Sequence, residues 1–154
     1  MGQYQMWLTW LLGVFGVLLL SNAVNASCTV STTSMNFGNY DVFASTATTG
    51  TGFITLSCAP GANVTIGIGA STNSGGFYPR MLQNDSLADT LNYNLYTSAT
   101  MIQVWGDGAN GTITVNFTNV KKNNSPITIY GKIDPLQNVS IGSYSDQLVV
   151  TISY

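Results

Sequence analysis

Six aspartates, four lysine or arginine side chains and two cysteines are what the chain offers to chemistry beyond hydroxyls and amides, because it has no histidine and no glutamate. Hydrolysis by a Ser-His-Asp or Cys-His scheme needs a base that titrates near neutrality, so most nucleophilic mechanisms fall away. A Ser-Lys pair is formally open, since Lys132 sits in the apolar run Ile127 to Ile133, although a lysine in an alternating strand ordinarily faces water. Paired aspartates could do glycosidase work, but each acid lies in or beside a turn-rich segment where Asp caps its own backbone. Asp107-Gly108-Ala109-Asn110-Gly111 is half of a calcium loop without its later carboxylate, and Cys28 and Cys58 have no His or Glu to complete a zinc shell. The residues therefore point to a protein that is not an enzyme and that takes no metal or other cofactor.

The elements that would position anything else are strands. From Cys28 onward, short β-rich runs alternate with Gly, Asn, Asp, Ser and Pro clusters, and no segment holds a helical period. Strands are expected at Cys28 to Thr32, Phe53 to Cys58, Asn63 to Ala70, Thr90 to Thr97, Ile102 to Trp105, Thr112 to Phe117, Ile127 to Ile133 and Gln147 to Tyr154. Ile54, Leu56 and Cys58 alternate, as do Val64, Ile66 and Ile68, so both runs face a sandwich core. Asn110-Gly111 reads as a hairpin tip, Asp85 to Asp89 as one helical turn, and Ser45 to Gly52 as a mobile loop.

The last run carries a further expectation. Leu148, Val150, Ile152 and Tyr154 fall on one face at period two, and Val149, Thr151 and Ser153 on the other. Either this strand is flanked on both sides within its own sheet, or its edge needs a strand from elsewhere.

The N-terminal region sets the compartment. Trp7 to Leu20 is apolar, shorter than the roughly 20 residues of a membrane-spanning helix, and is followed by small residues suited to cleavage after Ala26. Residues 1–26 read as a signal peptide, although no Lys or Arg precedes the apolar stretch and an uncleaved anchor stays open; residues 27–154 then form one domain. In an oxidising compartment, two cysteines most simply mean one disulfide, Cys28 to Cys58. With 6% charged residues and a net charge of -2, the chain has no electrostatic footprint for nucleic acid or anionic lipid.

An ordered set of short motifs spans this domain: Cys28-Thr29-Val30, Phe37-Gly38-Asn39-Tyr40, Cys58, Pro79-Arg80, Leu91 to Tyr96, Val104-Trp105-Gly106-Asp107-Gly108, Ile129 to Ile133 and Gly142 to Asp146. Together they resemble the spore coat protein U domain family, which includes pilin subunits of the archaic chaperone-usher pathway. The resemblance implies an all-β, incomplete immunoglobulin-like sandwich that lacks its final strand. It implies a periplasmic chaperone that lends a strand, an outer-membrane usher and neighbouring subunits as partners, and export through the periplasm to the cell surface or a fibre. By that analogy Leu148, Val150, Ile152 and Tyr154 carry the subunit's half of the donor-strand contact.

Polymerising pilins of this kind carry a donor segment ahead of the first cysteine, whereas cleavage after Ala26 would leave only Ser27 there. The expectation is a subunit that receives a strand without giving one, a tip or cap. Phe77-Tyr78, after Gly75-Gly76, is a candidate adhesive loop, or else tucks back onto the sandwich. The competing reading is a carbohydrate-binding module, resting on Tyr and Trp content and a neutral polar surface.

Overall fold

The computed structural model describes residues 27–120 and 126–154, and among these it holds nine strands and no helix. They are β1 (Cys28–Thr32), β2 (Thr48–Cys58), β3 (Ala62–Ile68), β4 (Arg80–Asn84), β5 (Thr90–Tyr96), β6 (Val115–Val120), β7 (Ile127–Ile133), β8 (Tyr144–Ser145) and β9 (Val150–Ser153). Two antiparallel sheets form, one in the order β1-β2-β7-β5-β4-β8 and one in the order β6-β3-β9. The expected all-β sandwich is therefore present, with six strands on one side and three on the other.

Period-two patterning explains which face of each strand is inside. Ile54, Leu56 and Cys58 of β2 are buried while Thr55 and Ser57 are exposed, and Val64, Ile66 and Ile68 of β3 are buried opposite them. Leu91, Tyr93 and Leu95 of β5 and Ile129 and Ile133 of β7 complete the core. Trp105 is fully buried among them, and its indole N–H donates to the carbonyl of Ile66 at 3.0 Å, which satisfies the one polar atom that burying a Trp brings in. Cys28 and Cys58 stand directly opposite in the β1–β2 ladder and are joined as a disulfide.

Several elements differ from the sequence expectation. The Thr/Gly-rich stretch before Phe53 is strand from Thr48, paired with β7 from Thr48↔Ile133 to Gly52↔Ile129. Its glycines permit close approach rather than mobility. A Cβ on Gly50 would stand 2.8 Å from the carbonyl oxygen of Asn36, and one on Gly131 would stand 2.7 Å from the ring of Phe37. Ile102 to Trp105 is not a strand: Val104 and Trp105 make single bridges to Tyr96 and Ile113, and Ile102 is exposed. Because the Trp105–Ile113 bridge is parallel, Asn110-Gly111 forms a turn but not the tip of a hairpin. Asp85 to Asp89 forms a bend instead of a helical turn: Asn84 Oδ1 accepts from the N–H groups of Ser86 and Leu87 at 2.9 and 3.0 Å, and the Asn84 N–H donates to the Asp89 carbonyl at 2.9 Å, so the chain turns back from β4 into β5. β6 starts at Val115 because Thr112 turns back, its hydroxyl donating to the Ala109 carbonyl at 2.7 Å.

β4 was not expected, and it contributes the most unusual core residue. Arg80 is fully buried with no carboxylate against it. Its guanidinium donates to the carbonyls of Ile68 at 3.1 Å, Gly69 at 2.9 Å and Trp105 at 2.8 Å and to Asn94 Oδ1 at 2.9 Å, with the Phe77 ring centroid 5.1 Å away. Burial pulls its pKa down from the usual arginine value, yet each of its three nitrogens has an acceptor. Arg80 thereby ties β4 to β5, to the end of β3 and to Trp105.

The disulfide closes a separation of 30 residues. Replacing both cysteines by alanine is expected to cost about 3 to 4 kcal/mol of stability, read as a fall in the urea midpoint at unchanged slope.

Candidate functional site

Three strands cannot cover the inner face of six. β9 is the outermost strand of the smaller sheet, hydrogen-bonded to β3 in the register Ile66↔Ile152 and Ile68↔Val150 and to no other strand among the described residues. Beyond its free edge the larger sheet is open, and the space is a groove of about 1150 Å³. Leu82 of β4, Leu91, Tyr93 and Leu95 of β5, and Ile129 and Ile133 of β7 line it from the large sheet, with Ile68 and Val150 facing them. Residues 32–43 form one rim and residues 139–148 the other.

Each rim is built from short-range chemistry. On the first, Met35 and Phe37 lie on the glycines of β2 and β7, and Phe37 meets Tyr93 edge-to-face with centroids 5.8 Å apart. The Tyr40 hydroxyl donates to the Asp134 carbonyl at 3.0 Å and accepts the Gln137 N–H at 2.8 Å, fastening this rim to the loop after β7. On the second, the Ser140 side chain first, and its N–H donating to the Asp89 carboxylate at 2.8 Å second, hold the Asp89 pKa below the ordinary carboxylate value.

Asp146 joins the second rim to the floor. Its Oδ2 accepts the Tyr93 hydroxyl at 2.8 Å, and its Oδ1 accepts from Thr72 at 3.0 Å, Asn73 at 3.2 Å and the Gln147 N–H at 2.8 Å. The segment leading into β9 is thus fixed before the strand begins.

Of the residues expected to matter, Leu148, Val150 and Ile152 are half-buried against the core on one face of the final segment, while Tyr154 is 59% exposed. Leu148 and Val150 line the groove directly. The Phe77-Tyr78 pair is split: Phe77 is buried beneath Arg80, and Tyr78 is 56% exposed with its hydroxyl donating to the Gly111 carbonyl at 3.0 Å. Lys132 pairs with Asp134 at 2.9 Å, and that hydrogen bond raises its pKa, the opposite of what a lysine acting as a base requires. No cluster of three metal-ligating side chains occurs among the described residues. Phe37, Tyr93 and Asp146 belong to the short motifs that begin at Phe37, Leu91 and Gly142 but carried no assigned role there, and Met35 lies in none of them.

Burial first, and the hydrogen bond to Asp146 second, push the Tyr93 phenol well above its ordinary 10.0, partly opposed by Arg80. The unfolded chain releases that proton near the ordinary value while the folded chain retains it, so this contribution to stability is present below about pH 10 and is lost as the pH rises further. Tyr93→Phe should lower stability near neutrality by about 1.5 to 3 kcal/mol through the lost charge-assisted bond. It should also flatten the alkaline loss, a comparison made by urea unfolding near pH 7 and at about pH 11.

Comparison with known proteins gives three findings. A family model described as Spore Coat Protein U domain matches residues 14–151. Protein U of Myxococcus xanthus is 28% identical over 131 residues, which cover 79% of this chain and 72% of that protein. Among solved structures, a chain of the CsuC-CsuE chaperone-tip adhesion subunit pre-assembly complex from the archaic chaperone-usher Csu pili of Acinetobacter baumannii aligns with TM-score 0.56 at 12% identity, over 84% of this chain but 40% of that one. The minor tip subunit HdaB of the E. coli Hda pilus aligns with TM-score 0.44 at 17% identity, over 82% of this chain and 79% of that one. This chain spans less than half of the matched chain from the Csu complex, and at 12% identity the likeness is one of fold.

Proposed function

The chain belongs to the Spore Coat Protein U domain family, and from that premise we propose that it is a non-enzymatic structural subunit of a chaperone-usher surface fibre or coat, assembled by accepting a β-strand in the groove beside β9. The observation that carries this reading is the groove itself: a cleft lined by apolar side chains of the large sheet, bordered by a strand whose outer edge has no strand partner among the described residues. An inserted strand would find backbone groups on β9 to pair with and pockets between Leu82, Tyr93, Ile129 and Val150 for alternate side chains. Each apolar side chain it seats would contribute roughly 1.5 to 3 kcal/mol from burial alone, enough for a few such residues to offset the ordering of the strand.

In this reading a periplasmic chaperone fills the groove first, an outer-membrane usher receives the complex, and a strand from a neighbouring subunit replaces the chaperone's. Leu148, Val150 and Ile152 supply the subunit's side of the contact, with Tyr154 at its far end. Residues 1–26 direct export and are removed. Processing after Ala26 would leave Ser27 alone ahead of Cys28, and a subunit so processed would take a strand without one to give, as a tip or cap does.

Co-expression tests the proposal. The chain alone should be recovered poorly or proteolysed, and the cognate chaperone should restore it as a stoichiometric complex. Val150→Asp, which places a charge in the groove, should reduce recovered complex at least about tenfold, whereas Thr151→Asp, on the exposed face of the same strand, should leave it within about twofold. Full recovery of a soluble monomer without chaperone, or indifference to Val150→Asp, would refute the reading.

A further inference from the structure

A second hollow of about 380 Å³ lies against the outward face of the large sheet, where Asn92 and Tyr96 of β5 point away from the core that Leu91 and Leu95 face. Its walls combine rings, an apolar lip and hydrogen-bonding groups. Tyr78 stands 56% exposed at one side. Because its hydroxyl is engaged by the Gly111 carbonyl at 3.0 Å, the ring is fixed in place and offers a ligand its face rather than its oxygen. Ile102, 78% exposed, forms an apolar lip.

The polar groups are arranged for a neutral partner. The Asn92 backbone is clamped at both ends by the Gln137 side chain, which accepts the Asn92 N–H at 2.7 Å and donates to the Asn92 carbonyl at 2.8 Å. The Asn92 side-chain amide is exposed and makes no hydrogen bond among the described residues, so a donor and an acceptor sit together on a rigid mount. Lys132 and Asp134 lie beside it and neutralise one another at 2.9 Å, with the ammonium 5.8 Å from the Tyr96 ring centroid. An anion or a cation would have to break that pair. A ligand with vicinal hydroxyls and a flat patch of C–H groups would use what remains free: the Asn92 amide, the outer Asp134 oxygen and the Tyr78 face.

We propose that this hollow binds a neutral saccharide, a monosaccharide or disaccharide unit of a larger glycan, with Tyr78 as the stacking platform and Asn92 as the group that reads adjacent hydroxyls. The volume lies at the lower end of small-ligand pockets, and the mixture of an aromatic wall with a few convergent polar groups is what such a ligand requires. The site is on the face of the sheet away from the groove, so it does not depend on the groove's role.

Saturation-transfer NMR and calorimetry on the full chain purified as its chaperone complex, with the chaperone alone as control, test it, with glucose, galactose, mannose, N-acetylglucosamine, maltose, lactose, cellobiose and glucuronic acid as probes. At least one neutral sugar should bind saturably, and Tyr78→Ala and Asn92→Ala should each weaken it by about tenfold or more. Tyr78→Phe, which keeps the ring and loses only the tether, should weaken it by about threefold or less. If Tyr78→Ala does not fold, Asn92→Ala decides, since Gln137 holds only the Asn92 backbone. Absence of saturable binding to every neutral probe, binding that survives Asn92→Ala, or tighter binding of glucuronic acid than of glucose would overturn the assignment.

Discussion

Everything in this molecule follows from the unequal sizes of its two sheets. A strand is worth forming only if its apolar face is covered, and here three strands are set against six. Where the two sheets pack together the core closes, with Ile54, Leu56, Val64 and Ile66 almost wholly removed from water. Past β9 no strand among the described residues continues the smaller sheet, and the inner side chains of β4 and β5 line a groove of about 1150 Å³.

The rest of the structure keeps that opening in shape. Gly50 on β2 and Gly131 on β7 let residues 35–37 lie against the backbone, so one rim is set by contact distances that a side chain at either position would violate. Arg80 fastens the end of β3, where β9 begins to pair, to β4, β5 and Trp105. A charged core residue of this kind is costly unless each donor is matched, and here carbonyl oxygens and one amide do the matching. Asp146 anchors the approach to β9 through four hydrogen bonds.

The strands with strict alternation, β2 from Phe53, β3, β5 and β7, could be read in the sequence because period two with one buried face leaves few other solutions. The disulfide followed from compartment and count. The misread segments share a physical cause: their conformation is decided by distant partners. Thr48 to Gly52 looks like a loop by composition, and becomes strand because β7 pairs with it and residues 35–37 need its glycines. Asp85 to Asp89 has helical spacing, yet the pairing of β4 with β5, closed by the Asn84 N–H on the Asp89 carbonyl, turns the chain back within it. At the site, the final strand's alternation gave away Leu148, Val150 and Ile152. Tyr93 and Asp146, which are 53 residues apart, carry no local signal of their hydrogen bond. Tyr154 has the right parity but lies at the end of β9, beyond the last residue paired with β3.

A fold open on one side and a surface poor in charge suit a building block that is stable only in company. Amide hydrogen exchange on the processed chain, alone and with its chaperone, addresses that property most directly. In the isolated chain, β9 and the groove-facing parts of β4 and β5 should exchange far faster than β2 and β7, and the chaperone should bring β9 to the protection of the central strands. Uniform slow exchange across β2, β7 and β9 in the isolated chain would contradict the account, because it would mean that the sandwich is already complete.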